Sequence, residues 1–265
     1  YRSKGRLSPE QICEGSKLCA EAGVRFILSS PRIMQDRDID QFCRLLERVS
    51  GTNLDGVQVG NPGLISKVRE ITGKPVYADF PLNIFNLETA ICLAEAGVSR
   101  VTLSPELTLE QVRRMIPSLP VPAEVIVHGA LPLMVSEYCA VGSLLDSGLK
   151  GCSSPCGGLG YALKDRKGVV FPVELDQFCR MHIFNSRDLC LIEDIGALAG
   201  AGVSVLRVEA RREGAGYVRD VVGAYRTVLE MLGVSDEEEI TSLKETLAKY
   251  SFQGFTKGHY YRGVV

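Results

Sequence analysis

Short apolar runs alternate along the chain with longer segments whose apolar positions recur every three or four residues. The first pattern is that of buried strands and the second that of amphipathic helices. Ser8 to Ala22 reads as a helix, because Ser8-Pro9-Glu10-Gln11 supplies an N-cap, a proline at the first helical position and early acidic charge. Gly23 stops it, and Val24 to Leu28 reads as a strand. The alternation continues with a helix over Asp38 to Val49, a strand over Gly56 to Gly60 and a helix over Pro62 to Thr72 ended by Gly73. Next come a strand from Pro75 to Phe80, a helix from Leu87 to Ala96 with Gly97 past its end, and a strand from Ser99 to Leu103. A helix over Thr108 to Ile116 and a strand over Glu124 to His128 complete the run.

The unit then breaks. Residues 129 to 182 hold glycines, prolines and four cysteines, with a hairpin predicted through Tyr161 to Leu163 and Val169 to Phe171 about a turn at Asp165-Arg166-Lys167-Gly168. Beyond it, Asp188 to Ala199 reads as a helix, Val203 to Glu209 as a strand and Tyr217 to Leu232 as a long helix. Asp236 to Tyr250 reads as a last amphipathic helix before a glycine-rich tail, its acidic start being what the helix dipole favours.

Strands separated by helices imply parallel βαβ units with right-handed crossovers. The fold class predicted is α/β, with two forms in competition: a (β/α)8 barrel and an open doubly wound sheet. No glycine-rich phosphate fingerprint follows the first strand, which counts against a dinucleotide-binding sheet. Asn61, Asp79, His128 and Glu209 end strands, and in a barrel such ends converge on one functional face. Six strands cannot close an eight-stranded barrel. Either two precede Tyr1, or the irregular segments supply them. Residues 1–265 are read as a single barrel-type domain carrying 129–182 as a cysteine-rich insertion.

Composition narrows this little. With 45% apolar and 23% charged residues the chain is an ordinary globular protein. A net charge of −2 gives no electrostatic signature of nucleic-acid binding. No apolar run is long enough to span a bilayer. The nine cysteines, an odd number, read as reduced thiols of an intracellular protein.

Four of them, Cys139, Cys152, Cys156 and Cys179, share one loop-rich stretch in which Gly151 and Pro155 suit a sharp turn. Four thiolates can hold zinc or an iron–sulfur cluster. Unrelated buried or redox-active thiols explain the bare spacing equally well. Cys13, Cys19, Cys43, Cys92 and Cys190 read as small core residues.

Several motifs carry a resemblance. Val127-His128-Gly129-Ala130-Leu131 followed by Glu137-Tyr138-Cys139 is similar to a "VHGAL … C" signature, and Cys152-Ser153-Ser154-Pro155-Cys156 to a "C-x-x-P-C" element. Asn185-Ser186-Arg187-Asp188-Leu189 is similar to "NSKDL", and Val208-Glu209-Ala210-Arg211 to "KIEGR". In order and spacing, over roughly residues 55 to 260, these resemble peptidase family U32. The resemblance implies a cytoplasmic bacterial or archaeal protein with a barrel-like fold whose first strands lie upstream of Tyr1. Members were first named collagenase-like peptidases. Others act in oxygen-independent hydroxylation of a tRNA uridine, an rRNA cytidine or the ubiquinone ring, carry 4Fe–4S clusters on cysteines and, for RNA, draw on prephenate. The resemblance thus implies a 4Fe–4S cluster, with zinc as the alternative, on Cys139, Cys152, Cys156 and Cys179. It implies an RNA or small aromatic substrate, and leaves open a peptidase, a non-catalytic partner subunit and a homo- or hetero-dimer. The chain departs from the pattern at Pro132, where many relatives have cysteine, and at Ala210, which replaces a glycine.

The residues themselves offer little to a peptidase: there is neither a G-x-S-x-G elbow nor an H-E-x-x-H helix. His128 is read either as a cap of the barrel rim or as an acid–base group. Glu209 and Arg211, placed at alternate positions of a strand, would face one side and either pair or clamp an anionic substrate such as prephenate. His182 is expected to pack beside the cysteines, and Asp79 and Asn83 are further rim candidates. The basic run Lys164 to Lys167 reads as a solvated turn.

Overall fold

The structure, a computed structural model, describes residues 7–145, 152, 156, 160–176, 178–233 and 237–262. Its contacts divide into two compact units, neither a single stretch of chain. The first comprises Leu7–Ile126, Gly196–Arg207 and Gly258–Val265, and the second includes Val127–Ile195 and Val208–Lys257. The predicted insertion falls wholly in the second, apart from Gly151, Pro155 and the other residues that lie outside the described ones.

In the first unit the helices are α1 (Pro9–Glu21), α2 (Asp36–Val49), α3 (Ile65–Thr72), α4 (Leu87–Glu95) and α5 (Leu109–Met115). They alternate with strands β1 (Ile27–Ser29), β2 (Gly56–Val59), β3 (Val76–Ala78), β4 (Val98–Thr102) and β5 (Ala123–Gly129), which pair in that order, all parallel. Local chemistry sets the helix starts. Ser8 and Gln11 exchange reciprocal side-chain-to-backbone bonds at α1, and Thr108 and Gln111 do so at α5. Gly73 ends α3 in the left-handed conformation.

The register fixes the faces of this sheet, since alternate residues of a strand point to opposite sides. Val57, Val59, Val76, Ala78, Val101 and Ala123 share one face, and Gln58, Tyr77, Arg100, Thr102 and Glu124 the other. All of the apolar set is buried.

The second unit carries β5 to its end, where it pairs antiparallel with β10 (Asp188–Cys190), matching Cys190 to His128. A parallel strand, β12 (Phe255–Thr256), pairs with β10. Two further sheet strands thus come from a segment read as helix and from the glycine-rich tail. This corrects the expected helix over Asp188 to Ala199, of which only α7 (Ile195–Gly200) is α-helical. An apolar run as short as Leu189 to Ile192 has no resolvable period, and the free edge of β5 decides its state. The N–H of Leu191 donates to the Val127 carbonyl at 2.9 Å.

Four more strands form a separate antiparallel sheet ordered β6 (Pro132–Ser136), β9 (Met181–Phe184), β8 (Val170–Leu175) and β7 (Tyr161–Lys164), with α6 (Ala140–Leu145) after β6. The predicted hairpin is its β7–β8 pair: Asp165 Oδ1 accepts from the N–H groups of Lys167 and Val169, and Gly168 takes φ +85°. Strand β11 (Val205–Glu209) and helices α8 (Ala215–Glu230) and α9 (Glu237–Leu247) complete the chain, Asp236 lying outside the described residues. No described helix is long and apolar enough to cross a membrane.

Candidate functional site

The polar face of the first unit is bound together by charge. Glu124 Oε1 accepts from Gln58 Nε2 at 3.1 Å, Thr102 Oγ1 at 3.0 Å and Arg207 Nη1 at 3.2 Å. Its Oε2 meets Arg100 Nη2 at 3.1 Å. Arg207 Nη1 also lies 2.6 Å from Asp79 Oδ1. Arg100 covers the Tyr77 ring at 4.0 Å, and Arg32 and Arg207 lie over Phe80 at 4.0 and 5.7 Å. Parallel strands are usually apolar on both faces. Here three arginines and two carboxylates meet where valines and leucines would stand. Of these only Asp79 was anticipated. Asn83, the other rim candidate, is exposed in a left-handed conformation. Sequence reading passed over Gln58, Arg100, Thr102, Glu124 and Arg207, although the alternation in Val57-Gln58-Val59 and Arg100-Val101-Thr102 was the available signal.

In the second unit the VHGAL and VEAR segments touch through backbone. Gly129 has φ +107°, and a Cβ there would lie 2.3 Å from the Glu209 carbonyl oxygen. Only glycine permits that approach. Glu209, which ends β11, is buried and accepts from Arg211 Nε at 3.0 Å and Nη2 at 2.7 Å. Of the two readings offered, the geometry contains the mutual pair. It also corrects the placement, for Arg211 lies in the turn after β11, and it is the turn that folds its guanidinium back.

His128 is fully enclosed among Tyr217, Tyr225 and Phe255, with ring centroids 5.4 to 6.0 Å away. Tyr225 Oη donates to the Val127 carbonyl at 2.9 Å and accepts from the Leu191 N–H at 3.3 Å. With that proton committed, His128 Nδ1, 3.1 Å from the same oxygen, is the donor. Nε2 is then an acceptor, buried with no partner among the described residues. Burial pushes the imidazole down to about 4, so it is neutral at physiological pH. Nearby, burial first and Glu213 second push Asp188 up to about 6.

The four cysteines fall in the region of the small antiparallel sheet. Cys139 follows β6 and Cys179 precedes β9, and the pairing of Ser136 with Met181 puts both at one end of that sheet. A Cβ on Gly142 would stand 3.5 Å from Cys139 Sγ and 3.6 Å from Cys152 Sγ, so these two sulfurs flank one glycine. Cys139 and Cys156 pack against the cluster of Val141, Val173, Leu175, Met181 and Ile183. Cys152 and Cys179 are exposed. Among the described residues, however, no three His, Cys, Asp or Glu side chains gather as a metal site. The donor type and neighbourhood suit a thiophilic metal, while a closed coordination sphere is not formed. His182 lies on the same sheet, 3.2 Å from Asp176 Oδ2.

A mainly parallel α/β sheet with a charged face, joined to a small cysteine-bearing antiparallel sheet, defines the class of protein. The family model described as "Peptidase family U32" matches residues 1–264, and the chain belongs to that family. It is 27% identical to a collagenase of Porphyromonas gingivalis, over 98% of this chain and 65% of that protein. It is 25% identical to the 23S rRNA 5-hydroxycytidine C2501 synthase of Escherichia coli, over 99% of this chain and 39% of that one. With tRNA hydroxylation protein P1 of Bacillus subtilis it shares 24% identity, over 90% and 57%. The chain thus spans between 39% and 65% of the length of these relatives.

Proposed function

We propose that this chain is the cysteine-bearing part of a cytoplasmic enzyme that hydroxylates an RNA base without oxygen. In this reading Cys139, Cys152, Cys156 and Cys179 hold a 4Fe–4S cluster. The observation that carries it is that Cys139 and Cys152 flank Gly142, at the end of the sheet from which Cys179 also comes. Two relatives named for RNA hydroxylation support the substrate class. When bound, such a cluster supplies one-electron chemistry that amino-acid side chains lack.

The chain's own residues would bind and orient. Arg211, held by Glu209 and partly exposed, would be the cation that a carboxylate such as those of prephenate meets. Closure of the sheet strands into a (β/α)8 barrel belongs to the same proposal.

The rival reading, a peptidase, draws on the collagenase relative. It needs a histidine able to activate a nucleophile. His128 is caged and neutral, and His182 turns Nε2 to Asp176 while its Nδ1 is buried. Neither of these two presents a base to a substrate; the third histidine, His259, is partly exposed near the end of the chain.

Anaerobic purification followed by iron, sulfide and zinc analysis tests the proposal. A brown protein with about four irons and matching sulfide per chain is expected. A colourless protein with one zinc would overturn it, and gelatin cleavage that persists through repurification would turn the reading to the peptidase.

A further inference from the structure

Cys179 is one of two described non-glycine residues with positive φ, at +63°. The other, Asn83, is of a residue type that tolerates this region, whereas a cysteine enters it at a cost and stays only when its surroundings hold it. What holds it is Asp176. Its Oδ1 accepts from the N–H groups of Phe178 at 2.8 Å and Arg180 at 3.0 Å, on either side of Cys179. The backbone closes the same turn: Cys179 N–H donates to the Asp176 carbonyl at 3.0 Å, and Asp176 N–H to that of Arg180 at 3.0 Å. Oδ2 is left for His182 Nε2 at 3.2 Å. His182 is itself fixed, buried on β9 and stacked on Phe184 at 6.2 Å and 16°, and Arg212 lies over that same Phe184 ring at 4.4 Å.

We infer that Asp176 is a positioning residue: it clamps the turn so that the exposed Cys179 is held ready as a metal ligand. The inference rests on the reading of Cys179 as a ligand. A turn that needed only to reverse the chain could place glycine or asparagine at this position without strain. Asp176 reaches Cys179 through the backbone on either side of it, and in that way would orient the ligand as outer partners do.

The two oxygens can be separated by substitution. Asp176→Asn keeps an oxygen for the two turn N–H groups and loses the acceptor for His182. Asp176→Ala loses both. The metal-free 265-residue chain, kept reduced, is titrated with Co2+ against a competing chelator, and the thiolate-to-cobalt absorption is read. Cys179→Ser is expected to weaken Co2+ binding and dim that absorption. Asp176→Ala is expected to do the same by about tenfold, read at a temperature where circular dichroism shows the variant fully folded, and Asp176→Asn to stay near wild type. If Asp176→Ala does not fold, Asp176→Glu, which keeps the charge but moves the oxygen off the turn, makes the same comparison. Wild-type binding by the alanine and glutamate variants beside a weakened Cys179→Ser overturns the clamp. Wild-type binding by Cys179→Ser overturns it as well, by removing the ligand. The iron content of the wild-type chain, measured separately, decides the cluster reading, so the two failures are distinct.

Discussion

Arg207 places a single nitrogen, Nη1, 2.6 Å from Asp79 and 3.2 Å from Glu124. With Arg100 on the far oxygen of Glu124, this ties β3, β4, β5 and β11 through side chains as well as backbone. Removing one member of such a buried set strands the others without their counter-charge. Glu124→Ala is expected to cost about 3 to 5 kcal/mol in urea denaturation. Glu110→Ala, which breaks an exposed pair with Arg114, is expected to cost less than about 1 kcal/mol. Equal costs would show that the charged face contributes no more than surface pairs do.

Gly129 is the point where the VHGAL segment rests on the strand that ends in Glu209. A methyl group would meet the Glu209 carbonyl carbon at 3.0 Å as well as its oxygen, and backbone cannot rotate away as a side chain can. Gly129→Ala is expected to lose at least about 3 kcal/mol or to fail to fold. Gly196→Ala, in α7 with nothing within 4 Å of the new carbon, is expected to gain about 0.5 to 1 kcal/mol. Thermal melts of the two variants decide the contrast.

A buried and a half-buried group of the second unit titrate in opposite senses. His128 is pushed from 6.5 down to about 4, so the folded state refuses a proton that the unfolded chain takes, and stability falls as pH drops from 6.5 toward 4. Asp188 is pushed from 3.8 up to about 6, so the folded state keeps a proton that the unfolded chain releases, and stability rises as pH drops through 6. Their contributions oppose each other between about pH 4 and 6. Asp188→Asn is expected to be more stable than wild type by about 1 to 2 kcal/mol at pH 8, and to lose stability more steeply on acidification. Parallel pH profiles for the two proteins would refute this.

Cys139 and Cys152 border one glycine, whereas Cys92 stands exposed on α4. Cys139→Ser and Cys152→Ser are each expected to lower bound iron about tenfold or more, and Cys92→Ser to leave it unchanged. Anaerobic iron and sulfide assays give the answer, and equal iron in all three variants would remove these thiols from the ligand set.

The sequence by itself determined what neighbouring residues decide. Ser8 with Gln11, and Thr108 with Gln111, start helices through bonds three residues apart, and Asp165 with Gly168 turns the β7–β8 hairpin. Parallel strands between helices followed from apolar periodicity, and the family from the motifs around Cys139, Asp188 and Glu209. Tertiary structure alone decided the rest. Asp188 to Cys190 became strand and not helix because β5 offered an unpaired edge some sixty residues earlier in the chain. His128 lost its access to solvent because Tyr217, Tyr225 and Phe255 close around it from distant segments. Glu124 gained its four donors from residues up to 83 positions away, a coincidence of register that no local pattern encodes. Propensity and capping act over a few bonds, while charge pairing and burial act through space, and only the folded chain determines which distant groups share it.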